Sequence, residues 1–264
     1  MKKIALLVLA APLALAACGG SSSAKVKVDP VAYVKHAARK TAQTSEHATL
    51  TAKMNMGPVS LAMNGAGDFS FAQHGGSMTM NVSVMGQSLK MREILAGTTI
   101  YVSSPLFASS LPAGKTWMKL DLAALGKAAH LDMSSMLSQS PAQNLQRLEA
   151  AGTVTEVGAE TIDGVATTHY RVTKVDLSKL LPGAKIPALG KFKYGPIDVW
   201  IGNSNGYVAR ETMSLNAAAA GHSVTMKMTA NYSKFGEAVH VTVPPASQTV
   251  DAMQLSTLGA GLGA

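Results

Sequence analysis

The sequence predicts an α+β fold in which a large antiparallel sheet carries helices on one side. Two regions, near residues 49–120 and 154–232, are rich in segments whose apolar residues recur with a period of two. An alanine-rich, helix-permissive segment separates them. Gly-Pro, Gly-Gly and Asn-Gly pairs interrupt the strand-like segments at short intervals, which favours antiparallel neighbours joined by tight turns.

The start of the chain is expected to be an export signal. Lys2 and Lys3 precede an apolar run at 4–15, which is shorter than the about 20 residues of a transmembrane helix. The run ends in Leu15-Ala16-Ala17-Cys18, which contains the only cysteine of the 264 residues. This tetrapeptide resembles the lipobox of bacterial lipoproteins, which implies cleavage before Cys18 and lipidation of its sulfur.

These signals divide the chain into four parts. We predict a lipoprotein signal peptide at 1–17, a flexible tether at 18–28 that begins with the lipidated Cys18, one folded domain at 29–255, and a disordered tail at 256–264. Two or three acyl chains on Cys18 would hold the domain stably on a membrane. The predicted location is therefore the extracytoplasmic face of the cell membrane.

The first half of the domain is predicted to be one helix followed by strands. Asp29 and Pro30 are typical of an N-cap and a first helical residue, and the helix is expected to end near residue 44. Alternation then predicts strands at 49–56, 59–71, 77–84, 87–94, 98–103 and 116–120. Gly75-Gly76 is interpreted as a turn, and 105–112 as a loop.

The second half is predicted to begin with helices and to return to strands. The expected helices lie at 122–129, 133–137, 141–150 and 176–181, with a single helical turn at 250–255. The expected strands lie at 154–159, 166–175, 197–201, 207–215 and 223–232, and 182–195 is interpreted as a long loop.

Methionine is unusually frequent on the apolar sides of these strands. The chain has fifteen methionines against five phenylalanines and two tryptophans. Because methionine is flexible and polarizable, it suits an apolar surface that accepts varied partners. The residues predicted to line a hydrophobic cavity are Ala52, Met54, Met56, Met78, Met80, Val82, Val84, Val224, Met226 and Met228. The same residues would also serve as an ordinary core.

Composition argues against nucleic acid as a partner. The chain carries a net charge of +8, but its basic residues are scattered and only 5% of its residues are aromatic. Moderate positive charge instead suits contact with anionic lipid headgroups. With 47% hydrophobic and 14% charged residues, the chain has ample material for a core.

The motifs examined for catalysis or metal binding favour neither. The stretch 202–206 matches G-x-S-x-G, but the segment after it reads as a strand, whereas a nucleophile elbow needs a helix there. No cofactor motif is present, and the histidines lack zinc-site spacing. Met-x-Met occurs at 54/56, 78/80 and 226/228, and thioethers select Cu(I), so a copper-binding envelope protein is one alternative. A structural or sensory lipoprotein that binds a protein partner is another.

Several short motifs carry a family resemblance. The segments Glu160-Thr161-Ile162-Asp163-Gly164, Thr168-His169-Tyr170, Asp198-Val199-Trp200-Ile201 and Tyr207-Val208-Ala209-Arg210, together with the lipobox, resemble the LppX/LprAFG group of actinobacterial lipoproteins and, more distantly, LolA-like carriers.

This resemblance implies a strongly curved antiparallel sheet, a half barrel, with helices covering its concave face. It further implies that the cavity between sheet and helices holds the acyl chains of lipids or glycolipids for transport in the cell envelope. An envelope transporter or acceptor protein is a possible partner. The resemblance offers no catalytic residues to carry over.

Overall fold

The computed structural model describes residues 29–84, 86–124, 152–174, 192–219 and 222–257. In chain order the elements are α1 (Pro30–Ala42), β1 (Ser45–Met56), β2 (Val59–Ser70), β3 (Gly75–Val84), β4 (Gln87–Ala96), β5 (Thr99–Ser103), the 3₁₀ helix η1 (Pro105–Ser110), β6 (Trp117–Asp121), β7 (Thr153–Ile162), β8 (Val165–Thr173), β9 (Phe192–Gly202), β10 (Val208–Ala219), β11 (His222–Ser233), the 3₁₀ helix η2 (Ala246–Gln248), β12 (Thr249–Asp251) and α2 (Ala252–Thr257).

All of the described strands belong to one open sheet. Their order is β12-β6-β5-β4-β3-β2-β1-β11-β10-β9-β8-β7. The neighbours are antiparallel, except that β12 runs parallel to β6. Strand β1 pairs with β2 on one side and with β11 on the other, so it joins the N-terminal and C-terminal halves of the chain. The predicted large antiparallel sheet is confirmed.

Helix α1 packs on one side of this sheet. As predicted, Asp29 is the N-cap, and its carboxylate accepts a hydrogen bond of 3.0 Å from the amide of Val31. The buried face of the helix, Val34, Ala37 and Ala38, forms a core with residues of β8, β9 and β10: Tyr170, Val172, Ile197, Val199, Ile201 and Val208. We call the side of the sheet that carries Val172, Val199 and Ile201 the helix face, and the other side the outer face.

The predicted starts of two strands, β1 and β3, are wrong. Strand β1 begins at Ser45, four residues before the predicted start, because the charged Glu46 occupies an apolar-face position and hides the alternation. Gly75 and Gly76 lie inside β3, and the turn falls at 71–74 instead. A Cβ atom on Gly76 would overlap the ring of Phe69 on the neighbouring strand, so this strand position requires glycine.

Other boundaries differ from the expectations. Strand β9 begins at Phe192 and therefore takes in the last four residues of the predicted 182–195 loop. The predicted 105–112 loop contains η1, and α2 extends to Thr257, two residues past the predicted end of the domain. Residues 122–124 are helical, as expected, and the amides of Ala123 and Ala124 donate to the carboxylate of Asp121. The predicted signal, the tether, the rest of the 122–150 helices, the 176–181 helix and residues 258–264 lie outside the described residues.

Gly67 marks a close approach between β2 and β3. A Cβ atom there would overlap the carbonyl oxygen of Ser77 and lie 2.7 Å from the Cα of Met78. Backbone atoms cannot move aside as a flexible side chain can, so the sheet cannot keep this shape with a larger residue at 67.

We therefore expect Gly67→Val to lower the free energy of unfolding by about 2–4 kcal/mol, because strand pairing must distort to admit the side chain. Urea unfolding followed by circular dichroism measures this. The matched control is Ala62→Val, at an exposed position on the outer face of the same strand, which should change stability by less than about 0.5 kcal/mol. Equal effects of the two changes would contradict the close-approach argument.

Candidate ligand-binding face

The strand register defines which residues share the helix face. Residues directly opposite each other on paired strands point to the same side of a sheet. Starting at Val199 of β9, the paired residues run across six strands through Glu211, Ala230, Leu50, Gly65 and Met80. Because side chains alternate along each strand, this row also assigns every other residue of these strands to the helix face or to the outer face.

This register places all ten residues of the predicted cavity on the helix face. They are Ala52, Met54 and Met56 on β1, Met78, Met80, Val82 and Val84 on β3, and Val224, Met226 and Met228 on β11. The three Met-x-Met pairs are members of this face, because residues two apart on a strand share a side. Met54 and Met226 lie directly opposite each other on β1 and β11.

These ten side chains are not uniformly buried. Met80, Val82 and Val224 are buried, Met56 is 45% exposed, and the other six are half-buried. Helix α1 contacts β1, β7, β9 and β10, so it lies toward the C-terminal half of the sheet. The helices predicted to cover the remainder fall at residues that the structure does not describe.

Two cavities lined by described residues lie mostly away from the predicted residues. One, of about 380 Å³, is on the outer face between His47, Asp68, Arg92 and Trp117, and of the ten residues it touches Met78 alone. The other, of about 420 Å³, lies beside β6 and β12 and touches none of the ten. That the ten residues line a cavity therefore stays a prediction.

The helix face also carries three buried or half-buried glutamates that alternation did not identify. Glu46 is 2% exposed, and Glu93 and Glu211 are half-buried. Burial raises the pKa of Glu46 to about 8 and that of Glu211 to about 7, and it raises the pKa of Glu93 above its ordinary value. Sequence inspection missed them because a carboxylate at an apolar position is interpreted as a break in the pattern.

Behind the helix face, the outer face holds a polar network centred on His169. Its ring nitrogens lie 2.8 Å from Glu160 and 2.8 Å from Asp198. A neutral imidazole has one N–H donor, so only the imidazolium form donates to both carboxylates. The ring of Trp200 stacks on His169 with centroids 4.3 Å apart, and its indole N–H donates to Glu160 at 2.8 Å.

The network shifts the pKa of each of its carboxylates. Hydrogen bonds from Trp200 and then His169 lower the pKa of Glu160. Burial by itself would raise the pKa of Asp198, but hydrogen bonds from Arg171 and His169 outweigh it and lower that pKa. Arg171 donates to Asp198 at 2.6 Å. The network has no nucleophile placed against His169 among the described residues, and its groups are paired with one another.

The residues of this network come from the motifs that carried the family resemblance. Glu160, His169, Asp198 and Trp200 lie on three adjacent strands, and Arg210 of the fourth motif donates to Asp163 at 3.2 Å. The polar residues of the motifs therefore make two hydrogen-bonded groups, one around His169 and one between Arg210 and Asp163. Other motif residues, Tyr170, Val199, Ile201 and Val208, belong to the core on the helix face. Their role in the described residues is to hold β7, β8, β9 and β10 together.

The G-x-S-x-G stretch is a hairpin turn, as predicted. Gly202 ends β9, β10 begins at Val208, and the Gly206 amide donates to the Gly202 carbonyl at 2.8 Å. A strand follows Ser204 where a nucleophile elbow would place a helix. Within the described residues there is no group of three or more His, Cys, Asp or Glu side chains able to hold a metal ion. None of the described helices is long and apolar enough to cross a membrane.

No protein-family model matches the chain. An uncharacterized 31.2 kDa protein in the rplA-rplJ intergenic region of Streptomyces griseus is 27% identical over 262 residues, covering 88% of this chain and 82% of that protein. Similar solved structures include LprF from Mycobacterium bovis, with 17% identity, a TM-score of 0.48, and coverage of 82% of this chain and 97% of LprF. The Mycobacterium tuberculosis lipoprotein LppX has 17% identity, a TM-score of 0.46, and coverage of 80% and 97%. LprF and LppX both carry names from the LppX/LprAFG group that the sequence motifs resemble.

We expect His169→Ala to lower the free energy of unfolding by about 3 kcal/mol, because it leaves the partly buried Asp198 and its neighbours without a central donor. Thermal or urea unfolding near neutral pH measures the loss. The matched control is His47→Ala, which breaks a 2.7 Å pair with Asp68. His47 is 26% exposed where His169 is 5% exposed, so the control should cost less than about 1 kcal/mol. Similar losses in both variants would contradict a stabilising network.

Stability should also depend on pH through Glu46. Burial raises the pKa of this carboxyl in the folded protein from 4.5 to about 8, so folding favours the protonated form. Its contribution to the free energy of unfolding is complete below pH 4.5 and is lost as pH rises through 8, a change of about 5 kcal/mol at about 1.36 kcal/mol per pKa unit. Glu46→Gln should remove this loss, so the variant should be the more stable protein at pH 9. Parallel stability curves from pH 5 to 9 would contradict the assignment.

Proposed function

We propose that this chain is a lipid-anchored envelope protein that binds the acyl chains of lipids or glycolipids on the helix face of a half barrel. Cys18 carries the anchor, residues 18–28 are the tether, and the domain at 29–255 is held at the extracytoplasmic face of the cell membrane. The protein acts as a carrier, without catalysis, and passes its ligand to or from an envelope transporter or acceptor protein.

The observation that carries this proposal is the continuous apolar area on β11, β1, β2 and β3. All ten predicted residues share one face there, and six of them are half-buried. An acyl chain gains about 0.8 kcal/mol for each methylene that it buries. Flexible methionine side chains adapt to chains of different length and branching.

The close approach at Gly67 supports the half-barrel shape. Cβ positions on the helix face crowd the neighbouring strand at Gly65 and Gly67, as they do when a sheet bends toward that face. Under this proposal the helix face is concave. Helix α1 covers one end of it, and the helices predicted between residues 122 and 150 cover more of it.

The proposal is tested on the full chain carrying Cys18→Ser, so that the anchor does not supply lipid. We expect native mass spectrometry to detect bound lipid, and organic extraction to release it. Met54→Lys should abolish lipid retention, because an ammonium on the apolar face opposes burial of an acyl chain. The matched control is Thr51→Lys on the outer face of the same strand, at an exposed position, which should retain lipid.

Absence of bound lipid from the folded parent protein would overturn the proposal, as would equal retention by both lysine variants. Circular dichroism establishes that each variant is folded. The anchor is tested by the same Cys18→Ser change, which should abolish incorporation of radiolabelled palmitate.

A further inference from the structure

The basic side chains of the central strands lie on one face of the sheet. On β4, β3, β2, β1, β11 and β10 the described Lys and Arg side chains all belong to the outer face: Lys53, Lys90, Arg92, Arg210 and Lys227. The glutamates of the same strands, Glu46, Glu93 and Glu211, belong to the helix face. Among the described residues, the outer face of these six strands has one acidic side chain, Asp68, which pairs with His47 at 2.7 Å. This face therefore has an excess of positive charge.

Four of these five basic side chains have no acidic partner. Lys53, Lys90, Arg92 and Lys227 are exposed, and none of them forms an ion pair with a described residue. The guanidinium of Arg92 lies over the ring of Trp117, 4.8 Å from its centroid, which holds this cation in place without neutralising it. We call these four residues the basic surface.

Two lysines of the basic surface repel each other in the folded protein. Lys53 of β1 and Lys227 of β11 are directly opposite in the register, which places their Cβ atoms about 4.5–5.5 Å apart. Like charges in this position destabilise a sheet. The next residues in the same row, Ala62 and Ser214, carry no charge. A negative group between the two ammonium groups would remove the repulsion, so this pair favours a bound anion.

Neutral side chains that form hydrogen bonds lie between the basic residues. The row that begins at Lys90 runs through Asn81, Asn64 and Thr51 to Thr229. Amide and hydroxyl groups donate hydrogen bonds to phosphate oxygens. From β4 to β11 the sheet extends over four strand spacings, about 19 Å. The basic residues are therefore spread over a wide polar area, which suits a layer of anionic groups better than one small ligand.

The predicted tether is long enough to bring this face to a membrane. The first turn of α1 lies over β8, where Tyr33 packs against Tyr170 with ring centroids 5.6 Å apart. The tether at 18–28 precedes this turn and reaches at most about 40 Å when fully extended. To reach the plane of the outer face it must pass the edge strand β7, one strand away, and the thickness of the sheet, together less than about 20 Å. The outer face can therefore lie on the membrane that holds Cys18.

We infer that the basic surface docks on the anionic lipid headgroups of the membrane in which Cys18 is anchored. This inference rests on the proposed function, whose anchor keeps the surface close to those headgroups. Each basic residue near an anionic membrane strengthens binding about fivefold. The attraction extends over a Debye length of about 8 Å at physiological salt, so the four residues act together even on a curved face. Docking in this orientation turns the helix face away from the bilayer, toward a transporter or acceptor protein.

The test uses the acylated protein, reconstituted into vesicles of phosphatidylcholine alone or of phosphatidylcholine and phosphatidylglycerol in equal parts. A water-soluble amine reagent labels the lysines, and mass spectrometry measures the extent of labelling at each one. We expect Lys53, Lys90 and Lys227 to be labelled at least about fivefold less in the anionic vesicles. Lys234, exposed after the end of β11, should be labelled equally in both. Salt at about 1 M, where the Debye length is about 3 Å, should remove the protection.

The double variant Lys53→Gln, Lys227→Gln should lose the protection of Lys90, because docking then lacks two of its four cations. This variant should also unfold at a higher temperature than the parent protein at low salt, since the like-charge pair is gone. The matched control is Arg39→Gln with Lys234→Gln, which removes the same charge at exposed residues of α1 and of the segment after β11. The control should keep Lys90 protected.

Equal labelling of the three lysines in the two kinds of vesicle overturns the inference and leaves the anchor standing. Protection of Lys90 that persists in the double variant does the same. Protection by soluble heparin on neutral vesicles, without protection by anionic lipid, assigns the surface to a soluble polyanion and also overturns the inference. A protein that does not stay with the neutral vesicles lacks the anchor, which overturns the proposed function and the inference with it.

Discussion

The antiparallel register at β1 is the constraint on which the rest of the structure depends. This strand pairs with β2 and with β11, whose sequence position is far away, and so joins the two halves of the chain. Because side chains alternate with a period of two, a slip of one residue would move every apolar residue of β1 to the outer face. The register therefore determines which side chains α1 covers and which side chains a ligand could reach.

The same alternation places different kinds of side chain on the two faces of the sheet. The helix face collects methionine, valine and isolated glutamates, while the outer face collects lysine, arginine and the network around His169. The network satisfies its carboxylates with neighbouring donors and so stabilises the outer face. On the helix face the carboxylates are not all paired, since Glu46 keeps an oxygen without a hydrogen-bond partner in an apolar setting. An unpaired polar atom on the more adaptable face is a reason to look for ligand contacts there.

Sequence inspection succeeded where local chemistry was sufficient. Asp29 and Pro30 predicted the start of α1, and error-free alternation predicted the faces of β1, β3 and β11. It failed where a contact between neighbouring strands determined the local structure. Gly75-Gly76 has the composition of a turn, yet these residues are part of a strand because Phe69 leaves no space for a side chain at Gly76. The family motifs were identified as short segments, and only the sheet showed that their polar residues pair with one another across adjacent strands.

By itself the sequence determined the period of the strands, the identity of the apolar face and the expectation of a lipidated Cys18, because each is encoded in residues that are close along the chain. Only the tertiary structure decided that Glu46 and Glu211 are both diagonal neighbours of Tyr232, that the basic side chains of the described strands lie on the outer face, and that His169 lies between two carboxylates. Those arrangements depend on which strands pair and in what register. Pairing of strands far apart in sequence is set by the packing of the whole sheet, so no local pattern reveals it.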